Sequence, residues 1–374
     1  MHVTSKGHII QLDGIRFIAV ALVLLAHLTN TPLPIGELGV TMFFVLSGFL
    51  ISRILMQSRD KLKDQPDGFK KYLRKFLIRR TIRIFPVYYL CIFILYLLGV
   101  PSVHEFLAWL VLYGTNIYMA SHEAWMGSVD HLWSLAVEEQ VYIFFPFLIF
   151  FVPRKNLLPV LGIMGVLSVL LRLYFYLSGR SWIVSYVSMP ACLDSFAFGG
   201  LMAWLQLYKM ETFTRIFSKK WLVILGVLAW LGVYYWSRYI WLHDLPANKY
   251  NVVKIVFDRL IASAFCFFLI GSAVIGYTGL MAGFLENRVS VYLGKISYGI
   301  YLYHNFVFNH YHSYSAPNHP VVRFFNKVYR HFPELKDFPP FQIVAVCAFT
   351  VMVAAISWHF FEKPINALKD KYAY

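Results

Sequence analysis

Apolar runs long enough to cross about 30 Å of hydrocarbon recur from one end of this sequence to the other. They fall near residues 12–31, 37–57, 84–100, 132–152, 157–178, 184–208, 221–240, 252–276, 291–312 and 341–361. Runs of this length and composition read as transmembrane helices. The expected fold is therefore all-α, a polytopic transmembrane helical bundle of about ten spans. Composition agrees, since only 14% of residues are charged and 59% are hydrophobic, against about 25% charged in a soluble domain. No stretch between the runs is long enough for a separate soluble domain, so residues 1–374 read as one domain with none appended. The first run lacks a preceding basic region and a cleavage site, and reads as an uncleaved helix. Cys91, Cys192, Cys266 and Cys347 are scattered through apolar segments without metal-ligand spacing, and no metal is expected.

The net charge of +15 invites a nucleic-acid reading, but the basic residues cluster beside the apolar runs. That is where residues that set membrane topology belong. Residues 53–83 hold eleven basic and three acidic side chains, which makes this connection cytoplasmic by the positive-inside rule. Ten spans then put both termini in the cytoplasm. The connections 153–156 and 209–220 follow the rule. The loop 313–340, with Arg323, Lys327, Arg330 and Lys336, runs against it. Between the second and third spans, Phe69, Tyr72, Leu73, Phe76 and Leu77 recur at helical spacing among lysines and arginines. This predicts an amphipathic helix lying on an anionic inner leaflet. Residues 105–119 are apolar but short, and read as a re-entrant or interfacial segment.

Ionisable groups inside such runs are costly and point to function by default. Arg16 and His27 have ten residues between them in the first run. Eleven steps of about 100° make three turns plus about 20°, so both lie on one face, about 16 Å apart along the axis. A fixed cation near the helix start and a titratable base further in suit an anionic ligand at one end and proton chemistry beyond it. The alternative is a snorkelling arginine with an unrelated core histidine. Arg80 and Arg83 share a face, with Arg79 beside them. Two guanidinium forks there make either a phosphate clamp or a topology signal.

Glu138 and Glu139 open the fourth span and point about 100° apart, so they cannot share a proton as a dyad. They imply a polar network, functional or structural. Ser297, Tyr301 and His304, with Tyr298 adjacent, form a stripe that either lines a cavity or bonds neighbouring helices together. Glu362 either pairs with an inner-leaflet arginine or is a solvated helix end. The segment Leu46-Ser47-Gly48-Phe49 reads as a small-residue packing site. Phosphate-binding glycine loops, dinucleotide fingerprints, zinc-binding histidine pairs and nucleophile elbows are missing from the sequence.

Six segments in order resemble the integral-membrane acyltransferase family 3, which includes bacterial O-acyltransferases of surface polysaccharides. They are Leu12-Asp13-Gly14-Ile15-Arg16 with His27, then Phe43 to Ile51, and Arg80-x-x-Arg83-Ile-x-Pro86. Leu132 to Gln140, Lys295 to His304 and Glu362-Lys363-Pro364 complete the set. The resemblance implies a multi-pass enzyme of the bacterial inner membrane that uses cytoplasmic acyl-CoA, acetyl-CoA by default. Acyl-CoA would be a donor substrate rather than a bound cofactor, and the acceptor a carbohydrate hydroxyl at or beyond the outer face. Arg16 and His27 carry the family's catalytic motif, and Arg80 and Arg83 its donor motif. His27 would act as general base or as an acyl relay, with Glu138 or Glu139 orienting it or balancing its imidazolium. Tyr298 and Tyr301 would line the acceptor path. A membrane carrier or flippase for a lipid-linked sugar is the alternative, and it would cleave no donor.

Overall fold

The computed structural model describes residues 8–29, 31–243, 249–312, 320–336 and 338–369. All regular elements among them are helical. The longer helices are α1 (Gln11–Leu28), α2 (Ile35–Leu62), α3 (Gly68–Leu97), α4 (Trp133–Phe151) and α5 (Arg154–Leu177). They continue as α6 (Leu193–Tyr208), α7 (Trp221–His243), α8 (Asp258–Ile275), α9 (Ser297–His312) and α10 (Pro339–Ser357). The all-α membrane bundle expected from the sequence is what the chain forms.

Seven described helical stretches are long and apolar enough to cross a bilayer, and they match seven of the ten expected spans. The other three expected spans are interrupted. Residues 184–208 are broken by a 3₁₀ turn, Met189–Cys192, where Pro190 cannot continue a helix. The π-helical turn Val253–Phe257 precedes α8, and the helix Gly279–Glu286 that follows bends away by 88°. Ile296 separates the short helix Arg288–Lys295 from α9. Each break displaces the backbone beside a cavity, as described below.

Two expectations about connections change or sharpen. Residues 69–77 do not form a separate surface helix. They continue into the third span as the single helix α3, with Pro86 inside it. Tyr72 and Phe76 are fully buried, Phe69 packs on Phe147, Phe150 and Phe151, and Tyr72 donates to the Pro146 carbonyl at 3.1 Å. The apolar face that periodicity assigned to lipid is thus taken by α4. Residues 105–119 lie in short helices (Pro101–Glu105, Leu107–Val111, Thr115–His122), none long enough to cross a bilayer. Residues 313–319 of the anomalous basic loop lie outside the described residues. Both described ends reach one end of the bundle, where Arg79 donates to the Lys369 carbonyl at 2.9 Å and lines a cavity with His8.

At the centre, α2 packs on α1, α3, α4, α6 and α8. Its tightest crossing is with α6, where a Cβ on Gly199 would sit 2.3 Å from the Val45 carbonyl oxygen and 2.4 Å from the Phe49 nitrogen. Gly48 faces it, with room for no Cβ beside the Phe196 backbone. Lipid gives apolar side chains no reason to cluster, so this close backbone approach supplies the dispersion contact that holds the helices. The Ser47-Gly48 segment is the packing site expected from its small residues. Gly199→Val should lower stability by about 1–3 kcal/mol. Gly162→Ala, inside α5 where an added Cβ meets nothing within 4 Å, should not lower the melting temperature in detergent.

Candidate active site

Three cavities follow one another along α1. The first is a basin at the end of the bundle where the described termini meet. Arg16, Arg53, Arg79, Arg80, Arg83 and Lys369 line it, and among the described residues no acidic side chain does. The second is a narrow chamber inside the bundle, with a cavity volume of about 100 Å³. Arg16, Arg80, Arg83, Glu138, Glu139, Ser297, Tyr298 and Tyr301 border it. The third is a cleft at the opposite end, bordered by His27, Glu37, Asp130, His131, Tyr186 and Tyr301. Basin and chamber share Arg16, Leu50, Arg80 and Arg83; chamber and cleft share Val40 and Tyr301.

One helix therefore serves all three cavities. Arg16 stands between basin and chamber, and His27 opens into the cleft about 16 Å further along α1. Arg16 is fixed by an ion pair with Asp13, one turn earlier, whose side chain is 2% exposed. The other Asp13 oxygen lies 3.0 Å from His8 Nε2. Sequence reasoning gave Asp13 no role, although its i, i+3 spacing to Arg16 was there to be read.

On α3, Arg80 and Arg83 reach into both basin and chamber, whereas Arg79 stays in the basin. The Arg80 guanidinium lies over the Tyr142 ring, 5.1 Å from its centre, a geometry that stabilises a cation. Tyr142 donates its proton to Glu138 Oε2 at 2.6 Å. Ser47 Oγ, 2.8 Å from Tyr142 Oη, must therefore be the donor in that second contact. Glu138 and Glu139 diverge on the helix yet both border the chamber, because the edge of α4 rather than one face is turned to it. Tyr301 Oη donates to the His131 carbonyl at 3.0 Å and lies 2.5 Å from Ser134 Oγ, which holds the ring between chamber and cleft. Glu362 is buried and accepts from Ser357 at 2.9 Å, so it is not a solvated helix end.

The tautomer of His27 follows from its neighbour. Nδ1 lies 2.9 Å from the Val23 carbonyl oxygen, which can only accept, so Nδ1 carries the hydrogen and Nε2 keeps the lone pair. His27, His304 and His131 stand in a row, with successive ring centres 4.9 Å apart. His304 Nδ1 donates to the Tyr301 carbonyl at 2.6 Å and His131 Nε2 to the Leu302 carbonyl at 3.0 Å. Their other nitrogens, His304 Nε2 and His131 Nδ1, are buried acceptors without hydrogen-bond partners. Among the described residues no group of three such side chains is arranged to hold a metal. Glu138 and Glu139 border the chamber and His27 the cleft, so the contact that orients His27 is the Val23 carbonyl. Arg53 and His131 are site residues that the sequence reading passed over.

A family model described as an acyltransferase domain matches residues 9–359. The chain belongs to that acyltransferase family. It is 26% identical over 382 residues to the O-acetyltransferase OatA of Staphylococcus aureus strain NCTC 8325, covering 97% of this chain and 58% of the relative. OatA of strain COL matches with the same identity and the same coverage. The chain thus spans little more than half the length of the curated relatives it matches. No solved structure gives a significant match. Within this acyltransferase fold, loss of the Asp13 carboxylate should free the Arg16 side chain. Asp13→Ala is expected to cost about 1.5–3 kcal/mol, the range for a hydrogen bond to a charged group, read as a lower melting temperature in detergent.

Proposed function

We propose that the chain is a membrane O-acyltransferase that moves an acyl group, acetyl by default, from cytoplasmic acyl-CoA to a hydroxyl of an extracytoplasmic or lipid-linked carbohydrate. The membrane would be the bacterial inner membrane, with the basic basin facing the cytoplasm. The observation that carries this reading is the file of cavities along α1, cationic at one end and holding the His27 imidazole at the other. The names of the relatives, O-acetyltransferases, agree with it.

Coenzyme A is a polyanionic nucleotide joined to a slender, nearly uncharged arm that ends in the thioester. The basin suits the nucleotide phosphates, because arginine forks bind phosphate in two-point geometry and concentrated positive charge raises the rate of capture. Arg80 and Arg83, at the lip shared with the chamber, would hold the end nearest the arm. The chamber then gives the arm a passage in which few waters compete for the thioester.

In the reaction, His27 Nε2 accepts the proton of the acceptor hydroxyl as its oxygen attacks the thioester carbonyl. The new C–O bond forms, the C–S bond breaks, and the proton passes from the imidazolium to the departing thiolate. The Val23 carbonyl, bonded to Nδ1–H, keeps the ring in the tautomer this needs. In an attack by His27 itself, Nε2 bonds the acyl carbon as the C–S bond breaks and coenzyme A leaves as the thiolate. The acceptor oxygen then displaces the imidazole from the acyl group, and the hydroxyl proton passes to the thiolate.

The test is purified protein in detergent with radiolabelled acetyl-CoA, scoring donor binding and donor cleavage separately. Arg83→Ala should weaken binding by about 10- to 100-fold, the loss of one charge-assisted contact. His27→Ala should retain binding and lose about 10²- to 10⁴-fold in acyl transfer. Failure of the folded wild type to bind acetyl-CoA would overturn the acetyl-donor reading. Binding without cleavage in the presence of an accepted glycan would favour a carrier instead.

A further inference from the structure

Helix α5 borders none of the three cavities along α1. It forms instead one wall of a groove that opens to the outside of the bundle, with α6 and Leu260 of α8 on the other side. The groove has a cavity volume of about 390 Å³. Val166 and Leu170, 59% and 53% exposed, stand on its rim. From Leu158 to Leu170 it follows α5 for about 18 Å, at about 1.5 Å per residue. That is a little more than one leaflet of a hydrocarbon layer about 30 Å thick.

Gly162 and Gly165 keep the groove open. Small residues in membrane helices commonly let two backbones approach, as Gly199 does beside Val45. Gly162 has no such role, since an added Cβ meets nothing within 4 Å, and one on Gly165 would meet only Ala197 Cβ at 4.0 Å. The groove also offers no hydrogen bond. Asp194 borders it, but its Oδ2 is taken by Arg172 at 2.6 Å and its Oδ1 by the Ser195 nitrogen at 3.0 Å and Ser168 Oγ at 3.4 Å. The other bordering residues are apolar or glycine. What lies there must therefore be hydrocarbon. A volume of this size drawn out over that length is a slot narrower than an α-helix, which is about 10–12 Å across with its side chains.

One end of the slot carries charge. Arg154 precedes Leu158 by four residues and shares its face of α5. Its guanidinium lies over the Tyr208 ring, 3.8 Å from the centre, at the end of α6. Tyr208 follows Leu201 by seven residues, again on one face. Both walls thus converge on an arginine–tyrosine pair, with the exposed Lys155 beside it. Asp60, the carboxylate bonded to Tyr208, is held by Arg59 at 3.1 Å and by the Tyr208 hydroxyl at 2.7 Å, which leaves Arg154 and Lys155 to an anion from outside the chain. On α2, Arg53 borders the basin and Arg59 reaches the Val152 carbonyl and Tyr208, so this is the basin's end of the bundle.

We propose that the groove seats one acyl chain of an anionic diacyl phospholipid, whose phosphate meets Arg154 and Lys155 while the chain lies along Gly162 and Gly165. The chain supplies the dispersion contact between α5 and α6 that the glycines withhold. It thereby braces the helix whose Arg172 anchors Asp194. The lipid's second chain stays in the bilayer. None of this depends on the proposed transfer reaction.

In the test, purified full-length protein is loaded with phosphatidylglycerol or phosphatidylcholine of identical oleoyl chains, and the lipids retained per protein are counted by native mass spectrometry. A basic side chain at a membrane surface favours anionic lipid by about fivefold. Wild type should therefore retain phosphatidylglycerol about tenfold or more over phosphatidylcholine. Gly162→Leu and Gly165→Leu, which fill the slot, should each hold one phosphatidylglycerol fewer, whereas Gly162→Ala should keep it. The double variant Arg154→Gln, Lys155→Gln should still hold a lipid but lose the preference by about tenfold. A cooperative melting transition checks the folding of each variant. In wild type, phosphatidylglycerol with a photoreactive group midway along one chain should label residues 158–170 or 194–201. Labelling confined to other segments overturns the site, whatever the variants do. So does an equal lipid count in wild type and a folded leucine variant, or equal retention of the two lipids by wild type. A wild-type dimer that Gly162→Leu dissociates would make the groove a contact between copies and also overturns the lipid.

Discussion

An ionised side chain inside a bilayer is tolerated only with a partner or a path to water, and the buried charges of this protein divide by which of the two they have. Arg59 and Arg172 have partners. Arg59, 3% exposed, donates to the Ile149 and Val152 carbonyls and to Tyr208, and so ties α2 to the ends of α4 and α6. Arg172, 1% exposed, ties α5 to Asp194 of α6 and to the backbone on both sides of it. Such arginines act as rivets, since removing one partner strands a buried charge. Arg80 and Arg83 are different. They face cavities, and aromatic rings and carboxylates around them moderate their charge without occupying every donor. The helices are fixed by the first kind, which leaves the second kind available to a ligand.

The interruptions of the bundle follow the same logic. Irregular backbone in a membrane protein survives only where it is buried in protein or lines a cavity. The turn Met189–Cys192 presents the Ala191 carbonyl to Arg172, and its neighbour Tyr186 offers a carbonyl to Arg259. The π-helical turn before α8 turns Lys254 towards Glu37. The break at Ile296 lets Ser297 and Tyr298 border the chamber at the very start of α9. Three expected spans are discontinuous because the polar surface of the cavities is built at their breaks. Half-helices meeting near the middle of a bundle are a recurrent way to place such groups.

This also explains which features could be read from the sequence. Relations within one helix were legible, because 3.6-residue periodicity fixes them. Arg16 and His27 do border successive cavities on α1, Arg80 and Arg83 do share a lip, and Ser297, Tyr301 and His304 do form one polar stripe. Relations between helices were not. The amphipathic face of residues 69–77 was assigned to lipid, because periodicity shows that a face is apolar but not what covers it. Divergence of Glu138 and Glu139 was read correctly, yet a cavity that meets both lies outside any one-helix argument. The Glu37–Lys254–Asp258 cluster joins residues more than 200 positions apart, a juxtaposition that no spacing rule reaches.

The cavity file also bears on why such a reaction would be carried out across a membrane at all. Moving a phosphate group into hydrocarbon costs far more than moving a neutral amide arm, since the penalty is paid for charge. The cationic residues of the file reach no further along it than Arg16, Arg80 and Arg83, at the lip of the chamber. Beyond that lip the chamber is bordered by Ser47, Ser134, tyrosines and apolar side chains, with the carboxylates of Glu138 and Glu139 near the arginines. Under the proposed reaction the nucleotide stays where its phosphates are matched and only the thioester arm enters. The acyl group then crosses the low-dielectric layer as part of a neutral chain, and the one proton that must move does so at His27, on the side of the acceptor. The separation of Arg16 from His27 on a single rigid helix sets the length over which this division of charge from cargo works.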